Sequence, residues 1–134
     1  MKQTLTYESI PIWRLELGRS ECRYSSAGEI ALELKRKIEA TPSAEFIAIF
    51  DHYDHTLSLA SGHIADEIKA ALNVIFCLGL TLPDPAHLAK RPSSIGVCET
   101  DEGFKVGFME PPMPVANALM EDWANSLRKA CAEA

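Results

Sequence analysis

Two stretches of the chain, Glu45 to His52 and Asn73 to Leu78, read as β-strands that are apolar on both faces. This doubled apolarity limits the fold more than any other feature. In the first, Phe46, Ala48 and Phe50 alternate with Ile47 and Ile49. In the second, Val74, Phe76 and Leu78 alternate with Ile75 and Cys77. A strand beside water keeps one polar face, whereas a strand apolar on both faces belongs in a sheet covered on both sides. The helices of this chain can cover only one side. Loop packing, a ligand or a second copy of the chain must then cover the other. Closed symmetric dimers are the commonest soluble assembly, so a homodimer through the apolar sheet face is expected.

The remaining elements read as follows. Ile10 to Leu17 alternates, with Trp13, Leu15 and Leu17 opposite Arg14 and Glu16, a half-buried strand that ends at Gly18. Ser26-Ala-Gly-Glu29 is a capping box, in which Ser hydroxyl and Glu carboxylate take reciprocal backbone N–H groups. It opens a helix with Ala27, Ile30, Ala31, Leu34 and Ile38 on one face and a Glu33–Lys37 pair in the favourable order, and Thr41-Pro42 stops it. A short helix is predicted from about Ile64 to Leu72, and one helical turn over Pro85 to Lys90. Ser94 to Thr100 and Phe104 to Glu110 form a hairpin joined through Gly103. A last helix follows Pro114, its apolar stripe running through Ala116, Leu119, Met120, Trp123, Leu127, Ala130 and Cys131. The order is β-α-β-β-β-β-α. It predicts one α+β domain over residues 1–134, an antiparallel sheet of about five strands with two long helices on one face.

Composition narrows the class. A chain of 134 residues, 47% hydrophobic and 24% charged, is long enough for a core of its own and fits no disordered or disulfide-scaffold class. A net charge of −6 opposes nucleic-acid and anionic-membrane partners. The longest apolar run, about Val74 to Leu82, is far shorter than the roughly 20 residues of a membrane span. The start, Met1 to Leu17, has no uninterrupted apolar stretch, so no signal peptide is expected. Cys22, Cys77, Cys98 and Cys131 form no CxxC pair, which argues against structural zinc and thioredoxin-like chemistry and for free thiols in the cytoplasm.

Short motifs in this order also carry a resemblance. Phe50-Asp51-His52 ends one strand, and Phe76-Cys77-Leu78-Gly79 ends the next. Pro92 leads a hairpin containing Ile95-Gly96-Val97, Glu99 and Gly103, and Pro111-Pro112 closes it. From the capped helix to Pro112 the chain resembles the bacterial domain-of-unknown-function family 302. The resemblance implies a TATA-box-binding-protein-like β-α-β4-α fold and no particular activity. The Asn-Pro that follows Phe-Gly in that pattern is absent here, so the chain reads as a divergent branch.

The densest set of chemically capable groups is Asp51-His52-Tyr53-Asp54-His55, placed where an apolar strand emerges into a loop. Three readings compete for it. Imidazoles of His52 and His55, with His63 eight residues further on and Cys77 or Cys98 as neighbours, could hold a transition metal. Asp51 could orient His52 or His55 for acid–base catalysis, although no nucleophile motif or phosphate loop accompanies it. The same groups could simply bond loop backbone and cap the following segment. A small-molecule site here would draw on Asp51, His52, Asp54 and His55, with Arg91 of the Lys90-Arg91 pair as an anion clamp. A ligand- or metal-binding homodimer is the leading expectation; a small enzyme and a purely structural interaction module are the alternatives.

Overall fold

The computed structural model describes residues 1–129 of the chain. Its elements run β1 (Ile12–Gly18), α1 (Ala27–Glu39), β2 (Ala44–Asp51), α2 (His52–Leu57), β3 (Ala70–Leu78), β4 (Ser93–Glu99), β5 (Gly103–Met109) and α3 (Pro114–Asn125). Short 3-10 turns lie at Arg19–Glu21 and Pro85–Lys90. The five strands form one antiparallel sheet in the order β1-β5-β4-β3-β2. This is the expected α+β order, with α2 added between β2 and β3.

The core lies between one sheet face and the helices α1 and α3. Val74, Phe76 and Leu78 of β3, Ile95 and Val97 of β4, and Phe104, Val106 and Phe108 of β5 are buried against Ile30, Leu34 and Ile38 of α1 and Met120 and Trp123 of α3. Trp123 meets Phe76 edge-on at 5.6 Å, and Trp13 stacks on Phe108 at 5.2 Å. Both arrangements suit the quadrupoles of the rings.

Ser26 caps α1 as expected, its Oγ accepting the Glu29 N–H at 3.1 Å. The return half of the box differs: the Glu29 carboxylate accepts the N–H and hydroxyl of Ser25, one residue earlier. These bonds hold the Glu29 carboxyl below its ordinary range. Glu33 does not take Lys37. It accepts from Arg36 and from the Tyr24 hydroxyl, while Lys35 pairs with Glu39.

Three further expectations need correction. No helix covers Ile64 to Leu72, because Ala70, Ala71 and Leu72 are paired with Glu99, Cys98 and Val97 of β4. A long-range ladder there outweighs the helix tendency of a short segment. In β2 the register shifts between Phe46 and Ala48. Phe46 therefore lies beside Phe76 and Ile49 beside Val74, both toward the helices, while Ala48 and Phe50 fall opposite Ile75 and Asn73 on the outer face. Ile47 is the extra residue of this bulge and is 51% exposed. The predicted two-sided apolarity of β2 is thus in part a bulge read as a straight strand. Finally, α3 ends at Asn125 and the chain turns so that Arg128 bridges to Cys22. Leu127 is buried beyond the helix end, and the predicted stripe positions Ala130 and Cys131 lie outside the described residues.

The outer face is mixed rather than uniformly apolar. One cross-strand row reads Arg14, Gly107, Gly96, Asn73, Phe50. Ile75 and Cys77 on β3 are half-buried on the same face. No helix among the described residues is long and apolar enough to cross a membrane.

Candidate functional site

The Asp51–His55 cluster is placed first by its backbone. It is no loop: β2 passes directly into α2, and Asp51 is the N-cap, its Oδ1 accepting the Asp54 N–H at 2.9 Å. This is the capping role among the three readings. The imidazoles of His52 and His55 pack around the Phe50 ring, with centroids 4.6 Å and 5.4 Å away. His63 is exposed in the irregular stretch after α2. Among the described residues no group of three or more His, Cys, Asp or Glu side chains is arranged to hold a metal ion. Cys22, Cys77 and Cys98 are free thiols, and burial pushes the Cys98 thiol up from its ordinary pKa. Such a thiol stays protonated and is a poor nucleophile.

Arg91 is also engaged within the fold. Its Nη1 donates to the Thr81 carbonyl at 2.8 Å, and Nη2 lies 3.6 Å from Met113 Sδ. Lys90 Nζ sits 2.6 Å from Glu8 Oε1, joining the start of the chain to the segment before β4.

A well-formed concavity lies elsewhere, where the sheet splits. β4 and β5 pair from Glu99–Phe104 to Gly96–Gly107, and there their ladder stops. Beyond it β5 continues against β1 as far as Met109, while the other half of β4, back to Ser93, continues against β3. Two local causes are visible in the sequence. The final pair is Gly96 with Gly107, which has no side chains to hold the strands together. Further out, Pro92, Pro111 and Pro112 have no N–H and keep the strands from pairing again past Ser93 and Glu110.

The split opens a cavity of about 670 Å³, within the range of roughly 300–1,000 Å³ typical of small-molecule sites. Its walls combine Phe108, Met109 and Met113 with the proline-rich segment that leads into α3, and residues Glu8 to Ile12 close one side. That side is fixed by the Lys90–Glu8 pair and by the Glu110 N–H, which donates to the Pro11 carbonyl at 2.9 Å. The polar groups are few. Asn73 donates its amide to the Ser94 hydroxyl. Asn117, in the first turns of α3, buries its Oδ1 with no hydrogen-bond partner among the described residues. It is the one such side-chain atom among the described residues. A buried carbonyl oxygen without a donor costs about 1–3 kcal/mol.

None of Asp51, His52, Asp54, His55 or His63 lines this cavity. The residues that do were missed in the sequence because Asn73 and Asn117 come from elements far apart in the chain. Each nevertheless left a trace: an amide at the head of an apolar strand, and another beside the apolar stripe of the last helix.

A family model covers residues 1–129, nearly the whole chain. The chain belongs to the family of unknown function DUF6858. The kinship with family 302 suggested by the strand-end motifs is not confirmed by this match. No curated protein and no solved structure matches the chain. DUF6858 brings no activity with it, so the chemistry of the site rests on the geometry above.

Proposed function

We propose that this protein is a small-molecule-binding module whose site is the cleft between the diverging ends of β4 and β5. The supporting observation is a cavity of about 670 Å³ whose lining joins Phe108, Met109 and Met113 to the polar residues Asn73, Ser94 and Asn117. An apolar pocket with a few convergent polar groups is the usual form of a ligand site. Two exposed imidazoles on a short capped helix, outside this cavity, give the acid–base reading less support.

Amide-resolved NMR with a fragment library tests the proposal. Bound fragments are expected to shift Ser94, Gly96, Gly107 and Asn117. Gly96→Val serves as the plug. A Cβ at Gly96 meets nothing nearer than the Gly107 carbonyl oxygen at 3.7 Å, so the backbone accepts it. The variant should stay within about 1 kcal/mol of the parent in stability and lose fragment binding. Shifts gathered at Asp51 to His55, unchanged by the plug, would overturn the assignment.

A second reading concerns the outer face, where Ala48 and Ile75 lie side by side and Cys77 stands two residues along the same strand. This half-exposed apolar patch supports pairing with a second copy of the chain. Sedimentation equilibrium of the parent and of Ile75→Lys tests it. A parent dimer that becomes monomeric in the variant agrees with the reading; a monomeric parent contradicts it.

A further inference from the structure

The sheet ends on one side in β1 and on the other in β2. The β2 edge is broken by the bulge at Ile47 and runs straight into α2, and such interruptions keep another strand from pairing there. The β1 edge has no such device. Its register with β5 is unbroken from Ile12–Met109 to Gly18–Gly103, and no proline lies within it.

Residues of an antiparallel ladder alternate between pairs that exchange backbone bonds and pairs that do not. The Pro11 carbonyl accepts the Glu110 N–H at 2.9 Å, and the Arg19 N–H donates to the Glu102 carbonyl at 3.1 Å. The set bonded to β5 is therefore the one that includes Trp13, Leu15 and Leu17. Ile12, Arg14 and Glu16 point their N–H and C=O groups away from β5. Gly18, next in that row, donates its outward N–H to Glu21 Oε1 at 2.8 Å. The outward groups of Ile12, Arg14 and Glu16 have no partner among the described residues.

An open row of this kind is a template for a further strand, and the side chains beside it select which one. Arg14 and Glu16 are exposed on the outer face, while Trp13 and Leu15 are only half-buried on the helix side. Arg14 has no ion pair among the described residues, and Glu16 has only a 3.9 Å approach to Lys105. Antiparallel self-pairing about Leu15 sets Arg14 of each copy against Glu16 of the other, and these are residues whose backbone bonds point outward. The same register sets Leu15 against its own mate and Trp13 against Leu17. A slip of two residues either way puts Arg14 opposite Arg14 or Glu16 opposite Glu16, and like charges directly opposed are unfavourable. We infer that two copies of this chain join through β1, antiparallel and centred on Leu15, so that their sheets run on as one. The interface is isologous and involves neither the cleft nor Ile75.

A charge swap on the full chain, read by sedimentation equilibrium, tests this. The parent is expected to dimerise with rising concentration. Arg14→Glu and Glu16→Arg each turn two attractive pairs into two repulsive ones, and each should weaken association by about tenfold or more. The double variant restores opposite charges and should restore the dimer. Both positions are exposed, so circular dichroism should show all three variants folded. In the parent, the Arg14 and Glu16 amides should exchange more slowly in the dimer than in the dilute monomer, while Trp13 and Leu15 stay protected in both. A monomeric parent, a double variant as weak as the single ones, or Arg14 and Glu16 amides that exchange equally fast at every concentration would overturn the inference. A dimer lost in Ile75→Lys but kept in both single charge variants would assign association to the outer face and overturn it as well.

Discussion

Glu99 illustrates how single residues hold the pieces of this fold together. Its Oε1 accepts the N–H of Ala27 at the first turn of α1, and its Oε2 meets Arg19 Nη2 at 2.9 Å. Arg19 in turn donates to the carbonyls of Thr100 and Asp101 and lies over the Phe104 ring. One half-buried carboxylate therefore joins the β4–β5 hairpin to the start of the first helix. Glu99→Ala should cost about 1–3 kcal/mol, read as a lower urea midpoint at unchanged slope. Tyr24 and Glu33 give a pH signature. Hydrogen bonding from Arg36, and then from the Tyr24 hydroxyl, lowers the Glu33 carboxyl against an opposing burial effect. Burial first, then Glu33, raises the Tyr24 phenol. The Glu33 contribution is present above the ordinary carboxylate range and is lost as pH falls through its lowered folded value. The Tyr24 contribution is present below the ordinary phenol range and is lost as pH rises through its raised value. Urea midpoints measured across pH should decline at both ends, and Tyr24→Phe should lessen the alkaline decline, leaving the part due to the raised Cys98 thiol. The Ser26 cap was legible in the sequence because donor and acceptor stand three residues apart. The Glu99 contacts were not, because they join residues separated by 72 and 80 positions.

At the scale of elements, strong local patterns and long-range pairing divide the outcome. The α1 stripe and the hairpin through Gly103 needed only periodicity and turn chemistry, and both appear where the residues place them. Gly103 has a positive φ and lies so close to Leu17 that a Cβ there would collide with its carbonyl oxygen. The β2 bulge was hidden because alternation alone cannot show an inserted residue in an unbroken apolar run. It yields a sharp test. A straight strand would put Ile47 and Ile49 on one face, whereas the bulge exposes Ile47 and turns Ile49 to the helices. Ile47→Ala should change stability by no more than about 0.5 kcal/mol, and Ile49→Ala should cost about 1–3 kcal/mol, both read from chemical denaturation. Equal costs would contradict the bulge. The same limit explains the misplaced helix: Ala70 to Leu72 have helix-compatible side chains, and only their partners on β4 make them a strand.

Across the whole molecule, the apolar excess first noticed in two strands resolves into two features. One part is the bulge. The other is an outer face that is half-apolar and open, with a trough along Gly96 and Gly107 leading to the split between β4 and β5. The order of elements and the antiparallel sheet were legible from periodicity and turn signals; the order of strands across the sheet was not. The cleft was not, since it depends on where one ladder ends and on which side chains meet there. The Asp51–His55 cluster drew attention by composition; Asp51 caps α2, and the two imidazoles pack edge-on and tilted against Phe50. A crystal structure of the chain grown with a fragment that shifts the cleft amides tests this account most directly. The account predicts β4 and β5 unpaired beyond Gly96–Gly107, with the fragment between them against Phe108, Met109 and Met113. Strands paired through to Ser93 and Glu110, with the Asn117 carboxamide bonded inside the protein and no room for a ligand, would contradict it.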